Sequence, residues 1–186
     1  MAEKKAVSEE QQAKTKVITS KVRMSYCHVW EPVAMQDGKG DKKYSVSLII
    51  PKSDKELVDR INAAINEAKE QGKEKWGGKI PLNLKVPLRD GDAERGDDPN
   101  YKDAWFLSAS TKTKPGIVDA DRQPIIDESE FYSGCYGRAS INFYAFNVNG
   151  SKGIACGLNH LQKLADGEAL GGRGKAEDDF DDDLIS

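Results

Sequence analysis

The stretch YGRASINFYAFNV, residues 136–148, sorts its side chains onto two faces when read with a period of two. Gly137, Ala139, Ile141, Phe143 and Ala145 are small or apolar and suit a core. Tyr136, Arg138, Ser140, Asn142, Tyr144 and Phe146 fall on the other side. Flat rings interleaved with a guanidinium and amides are what unpaired bases need, since a ring can stack on any base face and a cation can meet phosphate. The same rings also suit a second core or a subunit interface, in which case the protein pairs with a second copy. Trp105, in WFLSAST, is a further candidate for stacking.

The basic residues add to this pattern. Lys21 and Arg23 share the polar side of VITSKVRMSY, while Lys112 and Lys114 flank Thr113 before the Pro115–Gly116 turn. Lys39, Lys42 and Lys43 crowd one loop. Each alone reads as a solvated charge; interleaved with aromatics on β elements they read as a track for a polyanion.

Catalytic and metal patterns fail on inspection. Gly174-Lys175-Ala176 lacks the hydroxyl of a phosphate loop, and Ala169 stands where its first glycine belongs. Asp90, Asp92 and Glu94 begin like a calcium loop, but Gly96 comes one place late and Tyr101 replaces the closing glutamate. Cys27, Cys135 and Cys156 form no CxxC pair and are odd in number, and neither His28 nor His160 is spaced to join them at a metal. Free thiols in a reducing cytoplasm, with no cofactor, are expected. No run approaches a membrane span. The remaining enzymatic alternative is a metal-dependent nuclease using the acids of residues 90–98.

The elements that must position these residues are mostly strands. Val22, Met24 and Tyr26 are expected on one side of the first. Tyr44, Val46, Leu48 and Ile50 share the buried side of YSVSLII, which Pro51 ends. One helix follows, with Ser53 as N-cap and Glu56 completing a capping box. Its buried face is Leu57, Ile61, Ala64, Ile65 and Ala68, with Gly72 as its stop and a continuation to Trp76 as the alternative. Residues 77–101 read as irregular, GIVDADRQPII as a hairpin turning at Asp119–Arg122, residues 136–148 as the longest strand, and KGIACGLNHLQKL as a strand closing in a short helical turn. The expected class is mainly β with one packed helix, an OB-fold-like small barrel over residues 16–170. Residues 1–15 lack a core pattern and read as disordered, and residues 171–186 as a Gly-rich linker with an acidic tail.

That tail hides a charge asymmetry. The net charge is −3, but residues 177–186 carry six of the 31 acids and none of the 28 bases, leaving the body at +3. Asp178, Asp179, Asp181, Asp182 and Asp183 surround Phe180, and Leu184 and Ile185 cap them. An acidic peptide with apolar residues suits a basic partner pocket, or the protein's own basic groove as a phosphate mimic.

The segments KVRMSYCHVWEP, KYSVSLIIPKSDKE, KWGGKIP, PLRDGD, SASTKTKPGIVD, FYSGCYGRASINFYAFN and KGIACGLNHLQK together resemble a phage family regarded as single-stranded DNA-binding proteins of OB-fold type. They span nearly all of residues 17–165. The resemblance implies an OB barrel that coats single-stranded DNA without sequence preference during phage replication or recombination in the bacterial cytoplasm, with strand annealing as the alternative activity. The tail is similar in kind to those with which such proteins recruit replication and recombination partners.

Overall fold

The computed structural model describes residues 14–34, 42–148 and 150–170. Eight strands form one sheet: β1 (Lys16–Ile18), β2 (Val22–Val33), β3 (Lys43–Pro51), β4 (Arg89–Asp90), β5 (Ala104–Thr111), β6 (Gly116–Val118), β7 (Tyr136–Val148) and β8 (Ser151–Ala165). The order β7-β2-β3-β5-β8 closes on itself because β7 also pairs with β8. The β5–β8 join is parallel, at Ser110↔Gly157, and the other joins of this ring are antiparallel. β1 lies outside the ring on β7, and β6 runs parallel to β8.

A closed sheet has one inside, so each strand must turn alternate residues inward. Met24, Leu48, Ile50, Leu107, Ile141, Phe143 and Leu161 meet there fully buried. The small and apolar face expected of β7 is the face that is buried. The long helix α1 (Lys55–Gln71) packs on this core through Leu57, Ile61, Ala64, Ile65 and Ala68. It ends at Gly72, where a Cβ would stand 2.2 Å from that of Ala145. Only the absence of a side chain lets the helix end lie this close to β7.

Several expectations need correction. Asp54, not Ser53, is the N-cap: its carboxylate accepts from the Leu57 amide at 3.2 Å and also takes the hydroxyl hydrogen of Ser20. The Asp54 amide bonds to the Pro51 carbonyl at 3.0 Å, and this turn delays the helix by one residue. The longest strand is β8, with 15 residues against 13 in β7, and it stays extended to Ala165 without a helical turn. The turn near Asp119 forms, with the Asp119 amide on the Gln123 carbonyl at 2.9 Å, but the strand entering it pairs mainly with β8. Residues 77–101 carry β4, a helical turn at Gly91–Glu94 and a 3₁₀ turn at Pro99–Tyr101.

The largest departure is in β2. Val22 and Met24 face the core, but Tyr26 does not. The β2–β3 register shifts between Ser25 and His28, and Tyr26 takes a φ of +47°. The bulge uses up one residue, so the core-facing positions change from even to odd and Val29 is buried.

The cap assignment is checked by urea unfolding. Asp54→Ala is expected to cost about 1 kcal/mol, whereas Ser53→Ala should stay within ~0.5 kcal/mol.

Candidate functional site

The outer surface of the ring carries a trough of small side chains. Ser45 pairs with Ser110, and the exposed Ser108 with Ser47, which is buried. The row continues through Gly157, which pairs with both Ser110 and Asn142. A groove of about 640 Å³ opens over part of this floor. Segment 85–87 forms one wall, tied to β8 by the Lys85 amide on the Lys152 carbonyl (3.1 Å) and the Ile154 amide on the Lys85 carbonyl (2.8 Å). Phe146, Arg89, Arg95 and His28 also line it. Tyr144 pairs with Ala155, a lining residue, and so shares that residue's side of the sheet.

Residues 91–103 cover the neighbouring part of the outer face and are firmly stapled. Lys52 Nζ reaches Asp90 at 2.8 Å and Asp92 at 2.7 Å. Its hydrogen bonds hold both carboxyls below the ordinary range and raise the Lys52 ammonium. The acids considered for a metal therefore hold a lysine. Asp92 also accepts from the Asp103 amide at 3.1 Å. A Cβ on Gly91 would come within 2.3 Å of the Tyr101 carbonyl, so this bend accepts only glycine. Underneath, Tyr101 meets Phe106 edge-on with centroids 5.2 Å apart, and its hydroxyl lies 3.0 Å from that of the buried Ser25. Ile49, Tyr101, Ala104 and Phe106 make a second, small core outside the ring, with Leu170 packed on it. From this lid the Arg95 guanidinium reaches 5.7 Å from the Tyr26 ring, 5.7 Å from Tyr101 and 5.4 Å from Phe106.

Beyond the lid lies a smaller pocket, of about 360 Å³, lined by Lys21, Arg23, Asn100, Lys102 and Tyr136. Lys21 and Arg23 approach the Tyr136 ring at 5.2 and 5.6 Å. Arg23 is engaged within the protein, donating to the Gly134 carbonyl (3.2 Å), Asn100 Oδ1 (3.3 Å) and the Glu168 carbonyl (2.7 Å).

This geometry, cations and rings on the outside of a closed β ring, is accompanied by a family match. A family model described as Enterobacter phage Enc34, ssDNA-binding protein, matches residues 15–185. The chain belongs to the phage Enc34 single-stranded DNA-binding family. Protein p50 of Acyrthosiphon pisum secondary endosymbiont phage 1 is 34% identical over 178 residues, covering 90% of this chain and 93% of that protein. The single-stranded DNA-binding protein of bacteriophage Enc34, solved in complex with single-stranded DNA, is 27% identical, with a TM-score of 0.77 over 84% of this chain and 90% of that one. The gp2.5 single-stranded DNA-binding protein of bacteriophage T7 is 15% identical, with a TM-score of 0.61 over 89% of this chain and 99% of that one, and shares the fold.

Within this member of the Enc34 family, the residues singled out from sequence do not line one groove. Phe146 lies in the large groove and Tyr144 beside it; Lys21, Arg23 and Tyr136 line the smaller pocket. Arg138 lies flat on Gln162 Oε1, through Nε at 3.0 Å and a terminal nitrogen at 2.7 Å. Lys114 sits over Trp30 at 5.7 Å, and Lys112 follows β5 in the bend. Trp105 packs against the main core, with Lys52 at 5.2 Å over its ring. The tail residues 178–185 lie outside the described residues. Sequence reading missed Lys85, Arg89, Arg95 and Tyr26. The out-of-phase Tyr26 could have been found only by weighing a bulge against continued alternation.

The Lys52 staple generates a pH test. Carboxyls held below their unfolded value stabilise the fold above that value and lose this contribution as pH falls through the folded one. The urea midpoint of Lys52→Met is therefore expected to lie below wild type at pH 7, with the gap closing as pH drops from about 4 toward 2.

Proposed function

We propose that this protein binds single-stranded DNA without sequence preference along the outer trough, keeping strands unpaired during phage replication or recombination in the host cytoplasm. The observation that carries the reading is the serine and glycine floor on the outside of the ring, flanked by Phe146 and by the cations Lys85, Arg89 and Arg95. A floor without bulk leaves room for a strand; rings beside it take base faces; cations along it take phosphates. Duplex DNA hides its base faces and gains only the last of these, the phosphate contacts. The work is binding, as in the family, and not catalysis.

The ring order supports the OB reading. Counted along the chain, the second and third strands of the ring are β3 and β5, which carry the trough, and the face of those strands is where OB-folds bind oligonucleotides. We place the DNA-binding domain at residues 16–170. In this reading Phe146 and Tyr144 stack on bases, Lys21, Lys112, Lys114 and Arg138 extend the phosphate track, and Tyr136 with Arg23 forms a secondary contact. Residues 171–186 act as a separable acidic module that recruits replication or recombination proteins and competes with DNA for the basic surface. Among the described residues no helix is long and apolar enough to cross a membrane.

Labelled oligo(dT) should bind much more tightly than duplex of equal length, with log affinity falling against log salt at about 0.7 per phosphate neutralised. Equal binding of the two sinks the proposal. The Tyr144→Ala/Phe146→Ala double variant should weaken oligo(dT) binding by roughly 1–3 kcal/mol per base stack lost, with an unchanged melting temperature. Deleting residues 177–186 should tighten binding, most at low salt; weaker binding would reverse the role given to the tail.

A further inference from the structure

A tyrosine is held at a position that disfavours it twice. Tyr26 adopts a φ of +47°, a left-handed conformation that side chains other than glycine and asparagine seldom take. The residue is also 54% exposed. Such conformations persist where the surroundings over-determine them, and they gather at ligand sites. Here the bulge is held by the Cys27 amide on the Ser133 hydroxyl at 2.9 Å, and β2 rejoins β3 at His28↔Ser45. Glycine or asparagine would make the same bulge at less cost. The backbone therefore accounts for the bulge and leaves the ring unexplained.

The second observation is the cation beside that ring. The Arg95 guanidinium lies within 5.4–5.7 Å of three rings, one of them Tyr26. Its backbone is fixed at both ends of the bend, with the Arg95 amide on the Gly91 carbonyl at 2.8 Å and the Asp98 amide on the Arg95 carbonyl at 2.9 Å. Three of the nearby acids are engaged elsewhere: Glu94 with Arg89, Asp98 with the Asn100 amide and side chain, and Asp92 with Lys52. Among the described residues the Arg95 side chain makes no hydrogen bond or ion pair, so its donors are available at the groove it lines. Stacking on rings fixes a guanidinium plane while leaving its N–H edge free.

We infer that Tyr26 and Arg95 form one nucleotide subsite at the mouth of the groove: an unpaired base stacks on the open face of Tyr26, and the Arg95 edge donates to the adjoining phosphate. The inference rests on the single-strand-binding reading and adds to it a stacking residue on β2, beside the Arg95 that lines the groove together with Phe146. Paired bases present no free face, so this subsite discriminates against duplex.

The test uses the full-length protein and fluorescein-labelled oligo(dT). Tyr26→Gly and Tyr26→Asn remove the ring while suiting the left-handed backbone, so both should fold with a melting temperature at or above wild type. Each should bind oligo(dT) about ten-fold more weakly, while Tyr26→Phe stays within about two-fold of wild type. On an abasic strand of equal length the difference between wild type and Tyr26→Gly should vanish, since no base is there to stack. Arg95→Gln should make the salt slope shallower by about 0.7, one phosphate. If folded Tyr26→Gly and Tyr26→Asn bind oligo(dT) like wild type, or lose as much on the abasic strand, the subsite is wrong and the single-strand reading stands. If wild type itself does not prefer oligo(dT) to duplex, it is that reading which fails.

Discussion

Closure of the sheet is the constraint on which everything else depends. Five strands joined edge to edge enclose one interior, and the pairing of β7 with both β2 and β8 leaves no freedom in which side chains point into it. Once Met24, Leu48, Leu107, Ile141 and Phe143 fill the inside, their neighbours along each strand must line the outside. A surface that binds a long polymer is then decided by the residues left over. On β3 and β5 these are serines, with Ile49 and Phe106 under the 91–103 segment, on β8 glycine and alanine, and on β7 asparagine, tyrosine and phenylalanine. The gradient from small to aromatic across adjacent strands makes a channel with a low floor and an aromatic wall on β7.

The outer face is not uniformly open. Segment 91–103 covers part of it with a second apolar layer, and the layer is held by charge as well as by packing. Lys52 bridges Asp90 and Asp92 in a partly exposed setting, where an isolated pair contributes little. Its value lies in geometry, since the same carboxylates cap the Gly91–Glu94 turn and receive the Asp103 amide. Together these contacts fix where Arg95 and Tyr101 stand. Acids that could pass for a metal site are used to hold an arginine over the groove.

The sequence was legible where information is local and periodic. Alternation along residues 136–148 separates core from surface correctly, and the 3.6-residue recurrence gives the buried face of α1 residue for residue. It failed where a distant contact overrides a local rule. Ser53 satisfies the capping pattern, yet Asp54 caps, because its amide turns onto Pro51 and Ser20 reaches it from the connection between β1 and β2. Tyr26 breaks alternation because a bulge resets the parity of β2, and the compensating contact, Ser133, lies over a hundred residues away. The lid was read as irregular because its order comes from lysine–carboxylate pairs and side-chain caps, which have no period. The family resemblance carried the class of function through these gaps, but it carried no residue into the site.

Residue type alone does not tell which cations the fold has already engaged. Lys21, Arg23 and Arg138 stand out in sequence because they alternate with rings. Yet Arg23 spends its donors on two carbonyls and an amide oxygen of the protein itself, tying the 166–170 segment to β2. Arg138 is committed to Gln162, which in turn donates to the Asp119 carbonyl at the neighbouring turn. Moving such a guanidinium onto phosphate means giving up bonds already made, so the net gain is small. Among the described residues Arg95 faces no such exchange: its rings orient it, and no hydrogen bond or ion pair takes up its donors. The count of bases near a groove is therefore a poor guide to phosphate contacts. The better guide is how much of each cation's hydrogen-bonding capacity the fold has already used, and this quantity exists only once the chain has folded.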